Sequence, residues 1–294
     1  MKFTIITPCY NTQKTIAQTI ESIIYQHGSF YIQYIVVDGN SQDDTVKILY
    51  KYKNALVNNQ IMINCLGIDF IIISEQDKGM YDALAKGLRI ANGDITSYIN
   101  ADDYYLPNAL LSLQYIFEGF PNVKWLTCTN TWYNSIGSIT YSFKPFRYKR
   151  KLIQKGFYNG KILPHIQQES TFWRSELNNK IDLNKLVVYK LAGDFYLWHV
   201  FSTYHELYTL YNQLSGFRIS MNQKSNDMAL YYQECSEIIK DKSPSLIDYF
   251  FAQVERVIWY SPDKIRKFFK FPTKLVLNNS VIENIEKQKK INIG

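Results

Sequence analysis

Polar and acidic side chains end four short apolar runs within the first 105 residues. The four ends are Thr7-Pro8-Cys9-Tyr10-Asn11, Asp38-Gly39-Asn40-Ser41, Ser74-Glu75-Gln76-Asp77 and Asn100-Ala101-Asp102-Asp103. Carboxylate and amide oxygens in tight turns bind hydroxyl groups, N–H groups and hard cations. Solubility explains one acidic end but not four in succession, so the pattern predicts a ligand site where these ends meet.

The turn from Asn100 to Asp103 is the candidate metal site. Oxygen ligands that project from such a turn suit Mg2+ or Mn2+, ions that normally bridge phosphate oxygens. The alternative is that Asp102 or Asp103 caps the helix that follows, a common use of aspartate at strand-to-helix turns.

Asp38 is a candidate nucleotide contact, and Asp77 is a candidate functional residue. A buried carboxylate at a strand end can accept hydrogen bonds from a base N–H and from ribose hydroxyls. An Asx-turn with helix capping is the alternative, and it suits Ser41 and Asp43 better than Asp38. Asp77 precedes the next helix, at the mouth of the same predicted site.

The elements that must position these residues alternate between strand and helix. Apolar runs predict strands over 3–7, 34–38, 70–74 and 95–100, and helical periodicity lies over 12–26, 43–52, 79–91 and after Pro107. This alternation predicts an α/β fold with a mostly parallel sheet and helices on both faces, and ligands bind beyond the carboxyl ends of such strands.

The alternation weakens after about residue 120. Further strands are predicted over 123–134, 138–143, 170–173 and 207–217, with a helix over 192–203, and the chain is mostly helical from residue 225. The predicted organisation is therefore a domain over 1–225, with a regular half (1–105) and a less regular half (106–225), followed by a helical, basic C-terminal extension (226–294).

The net charge of +7 is unevenly distributed. Residues 144–155 carry six positive and no negative charges, and residues 262–294 carry eight positive and three negative charges. Local patches indicate a local anionic partner and not a nucleic acid, which favours a continuous basic face. The basic and aromatic segment 264–271 suits an anionic membrane surface; the alternative is a solvated helix that packs its Phe residues on the body.

The cysteines and the N-terminus indicate the compartment. None of the four cysteines forms a CxxC pair, so a zinc site is not expected, and scattered thiols suit a reducing cytosol. The N-terminus is typical of a first strand, and no run approaches 18 consecutive apolar residues. We expect a cytoplasmic protein, with peripheral contact at the inner face of the plasma membrane as a further hypothesis.

Four motifs together resemble the family 2 glycosyltransferases of the GT-A fold, in particular bacterial enzymes of surface-polysaccharide assembly. The motifs are TPCYN (7–11), VVDGNSQDDT (36–45), SEQDKGMYDALAKGLRIANGD (74–94) and YINADD (98–103). A looser similarity continues through QQESTFW (167–173), AGDFYLW (192–198) and GFR (216–218). The resemblance implies a Rossmann-like, mostly parallel sheet and a nucleotide-sugar donor. It also implies that residues 1–105 are the nucleotide-binding half of the domain and residues 106–225 the acceptor half.

The resemblance also implies a role for individual residues. Thr7, Pro8 and Tyr10 line the nucleotide pocket, Asp38 holds the base with help from Asp77, Asp102 binds the metal, and Asp194 is the catalytic base. Asn100 stands where the family often has an acid, and it can accept a hydrogen bond from ribose. N-capping of the following helix is the alternative role for Asp194.

The remaining candidates concern the sugars and the diphosphate. The residues placed to meet the donor or acceptor sugar are Gln168, Glu169, Trp173 and Trp198. The two tryptophans have core packing as an equal alternative. Arg218 is placed to reach the diphosphate, and Gln223 or Ser225 stands in for a His that many family members carry after that Arg.

The function implied is inverting transfer of a sugar from a nucleoside-diphosphate sugar, UDP-linked, to an acceptor hydroxyl, with Mn2+ or Mg2+. The acceptor would be a sugar or lipid-linked sugar of polysaccharide or glycolipid assembly. One alternative is a non-catalytic nucleotide-sugar-binding module. A nucleotidyltransferase is a weaker alternative, because TPCYNTQKT (7–15) lacks the Gly-rich, basic first turn expected of that class.

Overall fold

A computed structural model describes the chain over residues 1–134, 136–143, 145, 147–219, 227–266, 268–269, 273–277 and 279–291. The predicted boundary between residues 225 and 226, and the substitutes Gln223 and Ser225, lie outside the described residues.

The nucleotide-binding half has the predicted alternation of strands and helices. Its elements are β1 (Lys2–Cys9), α1 (Ile16–Ile24), β2 (Tyr31–Asp38), α2 (Thr45–Val57), β3 (Gly67–Ser74), α3 (Met80–Ile90), β4 (Ile95–Tyr98) and β5 (Tyr104–Tyr105). The strands β1, β2 and β3 are longer than their apolar runs, whereas β4 ends two residues before the end of its predicted range. The helix α1 begins four residues later than its periodicity indicates.

The acceptor half is less regular. Its elements are α4 (Ala109–Gly119), β6 (Trp125–Thr127), β7 (Asn130–Tyr133), β8 (Ile139–Phe143), α5 (Arg150–Gln154), β9 (Thr171–Arg174), α6 (Leu183–Leu186), α7 (Gly193–Ser202), β10 (Tyr208–Leu210) and β11 (Ser215–Arg218). The single strand predicted over 123–134 is two strands, β6 and β7, which belong to different sheets. The strand predicted over 207–217 is likewise divided into β10 and β11.

The C-terminal extension is mostly helical, as predicted. It contains α8 (Met228–Ile238), α9 (Leu246–Tyr260), α10 (Asp263–Arg266), the two-residue strand β12 (Lys274–Leu275) and α11 (Asn279–Ile291). Short 3-10 helices lie at Ser175–Lys180 and Lys240–Lys242.

The main sheet has eight strands in the order β12-β10-β6-β9-β4-β1-β2-β3. All neighbouring pairs are parallel except those made by β9, which runs antiparallel to both β4 and β6. A smaller sheet has the order β5-β11-β7-β8. The predicted fold class, a mostly parallel sheet within an α/β architecture, is confirmed.

Two apolar layers cover the two faces of the main sheet. Ile5 faces the layer that includes the buried sides of α1 and α4, and Ile6 faces the layer that includes α3 and α7. Alternate residues of a strand point to opposite faces, so one apolar run can serve both layers. The helices thereby fix the strands, and the strand ends that carry the polar residues lie at one edge of a rigid sheet.

The C-terminal extension is bound to the body by ion pairs with the basic segment 144–155. Glu255 of α9 has no exposed surface; it accepts from Arg147 at 2.5 and 2.7 Å and from Lys149 at 2.6 Å. Lys155 lies 3.5 Å from Asp248. The expectation that this segment faces an anionic partner is therefore corrected for these three cations, because each of them is paired with an acid of α9. Within the described part of the chain, no helix is both long and apolar enough to cross a membrane.

Candidate active site

The ends of β1, β2 and β3 lie side by side at the carboxyl edge of the main sheet. Cys9 is paired in register with Asp38, and Asp38 with Ser74. Because these strands are parallel, the turns that follow them open on the same side of the sheet. The structure therefore brings together the polar strand ends that the sequence places far apart.

Asp38 holds this edge together and is not available to a ligand. The side chain has no exposed surface. One carboxylate oxygen accepts from Ser41 Oγ, and the other accepts from Ser41 N at 3.1 Å and from Ser74 Oγ at 2.8 Å. The expectation that Asp38 contacts the base directly is corrected: both of its oxygens are used to hold the turns after β2 and β3.

Asp77 occupies the space above Gly39. A side chain at Gly39 would place its Cβ 2.7 Å from Asp77 Oδ2, so only glycine admits the carboxylate there. Asp77 accepts a hydrogen bond from Gly79 N at 2.8 Å and is half-buried. Tyr10, which directly follows β1, is 55% exposed. Asp77 and Tyr10 therefore offer a carboxylate and an aromatic ring to a ligand at this edge.

Thr7 and Pro8 lie inside the sheet and do not line a pocket with their side chains. Both are buried in β1, and Tyr34 Oη donates to Thr7 Oγ1 at 3.3 Å. The predicted contact with a nucleotide is therefore corrected for these two side chains: they shape the sheet beneath the site.

The turn after β4 presents Asn100 and Asp102, whereas Asp103 is used by the protein. Asp103 is buried and accepts from Arg218 N at 2.9 Å. Asp102 is half-buried, and burial raises the pKa of its carboxyl while the nearby guanidinium of Arg218 lowers it. Asn100 Oδ1 is buried and has no hydrogen-bond partner among the described residues. Two oxygen donors are therefore left for a ligand, one from Asn100 and one from Asp102.

Arg218 lies beside Asp102 in the turn after β4. Its Nε donates to Asp102 O at 2.9 Å and its Nη2 donates to Gln18 Oε1. The guanidinium carbon lies 5.8 Å from the centre of the Tyr104 ring. The strand β11 thus brings a cation to the turn after β4.

Gln168 and Glu169 connect this turn to the acceptor half. With its amide oriented to satisfy its neighbours, Gln168 accepts from Asn100 Nδ2 at 3.1 Å and donates to Tyr98 O at 3.2 Å. Glu169 is almost fully buried, and burial raises its pKa to about 8, with contributions from the negative charges of Asp194 and Asp102. Glu169 is therefore mostly a neutral acid at pH 7 and lies within electrostatic reach of both aspartates.

Asp194 lies in the first turn of α7. Its Oδ1 accepts from Phe195 N at 2.7 Å, and Tyr81 Oη lies 3.5 Å away. The N-cap of α7 is Ala192, so the capping alternative for Asp194 does not hold. Burial raises the pKa of Asp194 to about 6, although the bonds from Phe195 N and Tyr81 lower it. The result is a carboxylate that is largely ionised at pH 7 and can accept a proton.

Gly193 allows the ring of Tyr81 to lie against the start of α7. A Cβ at Gly193 would fall 2.4 Å from Cδ1 of Tyr81. Tyr81 Oη also donates to Leu191 O at 3.0 Å. The helix α3, from the nucleotide-binding half, thereby fixes the segment that carries Asp194.

Trp173 and Trp198 belong to the core. Trp173 has no exposed surface and Trp198 is 3% exposed, and their rings lie 6.0 Å apart in an edge-to-face arrangement. Trp173 Nε1 donates to Asn178 Oδ1 at 2.7 Å. The expectation that they stack on a sugar is corrected in favour of core packing, because no ring face is open to a ligand.

Glu234 of α8 is a site-supporting residue that the sequence analysis missed. Its carboxylate is 6% exposed and accepts three backbone N–H groups, from Lys190 at 2.7 Å, Leu191 at 2.9 Å and Ala192 at 2.8 Å. These donors precede Asp194 directly. The sequence signal for it is an acid on the otherwise apolar stripe formed by Tyr231, Cys235 and Ile238 of α8.

The family assignment follows from a match over more than half of the chain. Residues 4–178 match the family described as Glycosyl transferase family 2. The chain belongs to this family. The matched region ends before Asp194.

Proteins that are similar to this chain in sequence are also named glycosyltransferases. An uncharacterised glycosyltransferase of Methanocaldococcus jannaschii is 24% identical over 194 residues, which are 66% of this chain and 62% of that protein. A PGL/p-HBAD biosynthesis glycosyltransferase of Mycobacterium bovis is 33% identical over 102 residues, 34% of this chain and 35% of that protein. The chain therefore spans less than two thirds of the length of these curated relatives.

Solved structures confirm the GT-A fold of this family 2 protein. Residues 1–349 of S. aureus TarS in complex with UDP-GlcNAc superpose with a TM-score of 0.56 at 18% identity, over 89% of this chain and 74% of that chain. Glucosyl-3-phosphoglycerate synthase of Mycobacterium tuberculosis, in complex with Mg2+ and UDP, gives 0.52 at 15% identity, over 83% and 81%. At these identities the likeness concerns the fold.

The oxygen ligands that Asp102 and Asn100 offer suit a hard cation that takes its remaining ligands from outside the protein. Within the described ranges, no group of three or more His, Cys, Asp and Glu side chains could hold a metal ion. Mg2+ in nucleotide sites commonly takes one or two carboxylates and completes its shell with phosphates and water. The Asp102 carboxylate and the unpartnered Asn100 Oδ1 suit that arrangement, in which the donor must supply part of the shell.

Proposed function

We propose that this family 2 protein is an inverting, metal-dependent glycosyltransferase that moves a sugar from a UDP-sugar to an acceptor hydroxyl in polysaccharide or glycolipid assembly. The observation that carries the proposal is the turn after β4, where Asp102 and the buried Asn100 Oδ1, which has no partner among the described residues, lie beside Arg218. Asp194, held by Phe195 N and Tyr81, supplies a candidate base.

Asp194 is proposed as the general base. A carboxylate whose pKa is about 6 is mostly ionised at pH 7 and still basic enough to accept the proton of an attacking hydroxyl. Glu169, largely protonated at the same pH, adds little negative charge near the donor. A single displacement by the acceptor, with Asp194 on its side of the sugar, gives inversion at the anomeric carbon.

Asp77 and Tyr10 are proposed to meet the nucleoside, with Asp38 holding the turns beneath them. A half-buried carboxylate can accept from the N3–H of uracil, and an exposed aromatic ring suits stacking on a base. The complexes of the two structural relatives with UDP-GlcNAc and UDP make UDP-sugars the first donors to test.

Asp102 and Asn100 are proposed to hold the divalent cation, Mn2+ or Mg2+, next to Arg218. A bound cation supplies charge neutralisation for the donor diphosphate. Arg218 adds a fixed positive charge from the protein side, beside Asp102. Stabilisation of charge that builds on a leaving diphosphate is the largest electrostatic requirement of this reaction class.

The experiment is a donor screen of the full chain, in which hydrolysis and thermal stabilisation are measured across UDP-, GDP- and dTDP-sugars with Mn2+ and with EDTA. Asp194→Asn is the test variant, and it should abolish transfer while leaving donor binding measurable. Asp182→Asn, which removes an acid that caps α6 outside the site, is the matched control.

Two outcomes separate the alternatives. Wild-type protein that binds a donor but turns over no acceptor and hydrolyses no donor would favour the binding module. Equal stabilisation by donors in EDTA and in Mn2+ would contradict the role proposed for Asp102.

A further inference from the structure

The helix α9 carries a large apolar surface that faces away from the protein. Its exposed apolar side chains, here called the apolar face of α9, are Leu246, Ile247, Phe250, Phe251, Val254 and Val257. They recur at spacings of three and four residues and so lie on one side of the helix. Leu246 is 88% exposed and Phe250 65%, so this side makes little contact with the described part of the chain.

The opposite side of α9 already packs against the rest of the protein. Ala252, Ile258 and Trp259 belong to the core layer that contains α7, and Glu255 is ion-paired with Arg147 and Lys149. A helix that is apolar on both sides is normally covered on both. Contiguous exposed apolar side chains, unlike single ones, commonly mark an interaction surface.

The charges around this face are one-sided. The only acids of α9 are Asp248 and Glu255; Asp248 caps the helix through Ser245 and lies near Lys155, and Glu255 is buried. The only cation within α9 is Arg256, which is exposed, and the exposed Lys264 follows in α10. The outward side of α9 therefore presents apolar and positively charged groups and no carboxylate.

Further aromatic and aliphatic side chains are exposed in the segment after α9. Phe268 is 86% exposed and Ile265 is 48% exposed. Exposed Phe and Tyr next to Lys and Arg is the composition of helices that lie in a membrane interface.

We infer that the apolar face of α9 docks on a membrane surface that contains anionic lipid, with Arg256 and Lys264 at the headgroups. A second copy of this chain is the less suitable occupant, because a stable protein interface uses roughly 20–30 residues a side, and α9 offers a single helix face. Membrane contact of 264–271 was one of two alternatives from the sequence, and residues 267, 270 and 271 of that segment lie outside the described residues. Among the described residues, α9 carries the larger exposed apolar surface. The inference rests on the proposed function in one respect, since a lipid-linked acceptor would be presented at the same membrane.

The test is sedimentation of the full chain with vesicles of phosphatidylcholine, alone or mixed with phosphatidylglycerol, at low and high salt. Val257→Asp is the test variant. Val57→Asp is the matched control, because Val57 of α2 is also a helical valine and its exposure, 71%, is close to the 69% of Val257. We expect Val257→Asp to lower the partition coefficient at least about tenfold, and Val57→Asp to leave it unchanged. Arg256→Gln should weaken binding to the anionic vesicles alone.

Three outcomes would overturn the inference. The first is wild-type protein that stays in the supernatant with anionic vesicles at low salt. The second is equal binding with and without phosphatidylglycerol, which would remove the role of the cations. The third is a wild-type dimer that Val257→Asp converts to a monomer, which would assign the face to a second copy. Vesicle binding needs no donor, so a failure here is distinct from a failure of sugar transfer, which Val257→Asp should retain with a water-soluble acceptor.

Discussion

Glu234→Gln is the substitution that tests most directly how the protein positions Asp194. The carboxylate of Glu234 accepts from three successive N–H groups, at residues 190, 191 and 192. Two of them share one oxygen, Oε2, and the third uses Oε1. Glutamine has the same shape but a single acceptor oxygen, so at least one of these N–H groups would face an NH2 group instead.

The size of the effect follows from these bonds. A hydrogen bond to a charged group contributes about 1.5–3 kcal/mol, and one between neutral groups about 0.5–1.5 kcal/mol. Losing one hydrogen bond to a charged group and weakening two others should lower the free energy that holds the turn before α7 in place by about 3–5 kcal/mol. If part of this appears as misplacement of Asp194, kcat should fall about 10- to 100-fold, since each 1.36 kcal/mol is a factor of ten.

A second effect separates positioning from simple loss of stability. The negative charge of Glu234 is among the groups that raise the pKa of Asp194. Its removal should move the acid limb of the kcat/KM profile to lower pH, while the KM for the donor stays within about threefold. The other titratable groups that interact with Asp194, namely Tyr81, Tyr98, Glu169, Tyr231 and Cys235, are unchanged in this variant.

The assay is steady-state transfer across pH, with unfolding followed in parallel. Glu237→Gln is the control, because Glu237 lies one turn further along α8 and is exposed. The reasoning would be refuted by a Glu234→Gln protein whose kcat lies within twofold of the wild type and whose acid limb does not move.

Three further predictions concern other parts of the molecule. The pKa of Asp194, raised to about 6, predicts that wild-type kcat/KM is near its plateau at pH 8 and about tenfold lower at pH 5 than at pH 7; a profile that is flat from pH 5 to 8 would argue against this base. Asp77→Asn should raise the KM for a UDP-sugar about tenfold with little change in kcat, and an unchanged KM would remove Asp77 from the nucleoside site. Glu255→Gln should lower the free energy of unfolding in urea by about 3–5 kcal/mol, because two cations lose a buried partner. Lys124→Gln, which breaks an exposed pair with Glu176, should cost at most about 1 kcal/mol.

The nucleotide-binding half was predictable because its signals are local. Each apolar run and each helical period lies within about 15 residues, and turns rich in Asn, Asp and Gly separate them. The acceptor half depends on long-range pairing. The chain leaves the main sheet after β6. The next strand, β7, pairs with β8 and with β11, and β11 lies far from β7 in the sequence. No local pattern distinguishes that division from one long strand.

Residue type alone also misassigned several site residues. Asp38 has the chemistry to bind a base, but whether Ser41 and Ser74 use both of its oxygens depends on the register of β2 with β3. Trp173 and Trp198 suit sugars and cores equally, and the packing of β9 against α7 decides for the core. The position of Asp77 depends on Gly39, because a side chain at Gly39 would occupy the space of the Asp77 carboxylate.

The C-terminal extension has two separable connections to the site. Through Glu234, α8 holds the segment before Asp194; through Glu255, α9 is held to the basic segment and buries Trp259 in the core. A truncation that removed the extension would delete the Glu234 carboxylate, which accepts from the N–H groups of residues 190–192. It would also leave Arg147 and Lys149 without their buried partner, Glu255. Loss of activity in such a truncation would therefore say nothing about the apolar face of α9. Only substitutions on its outward side, where no core contact changes, distinguish docking from positioning.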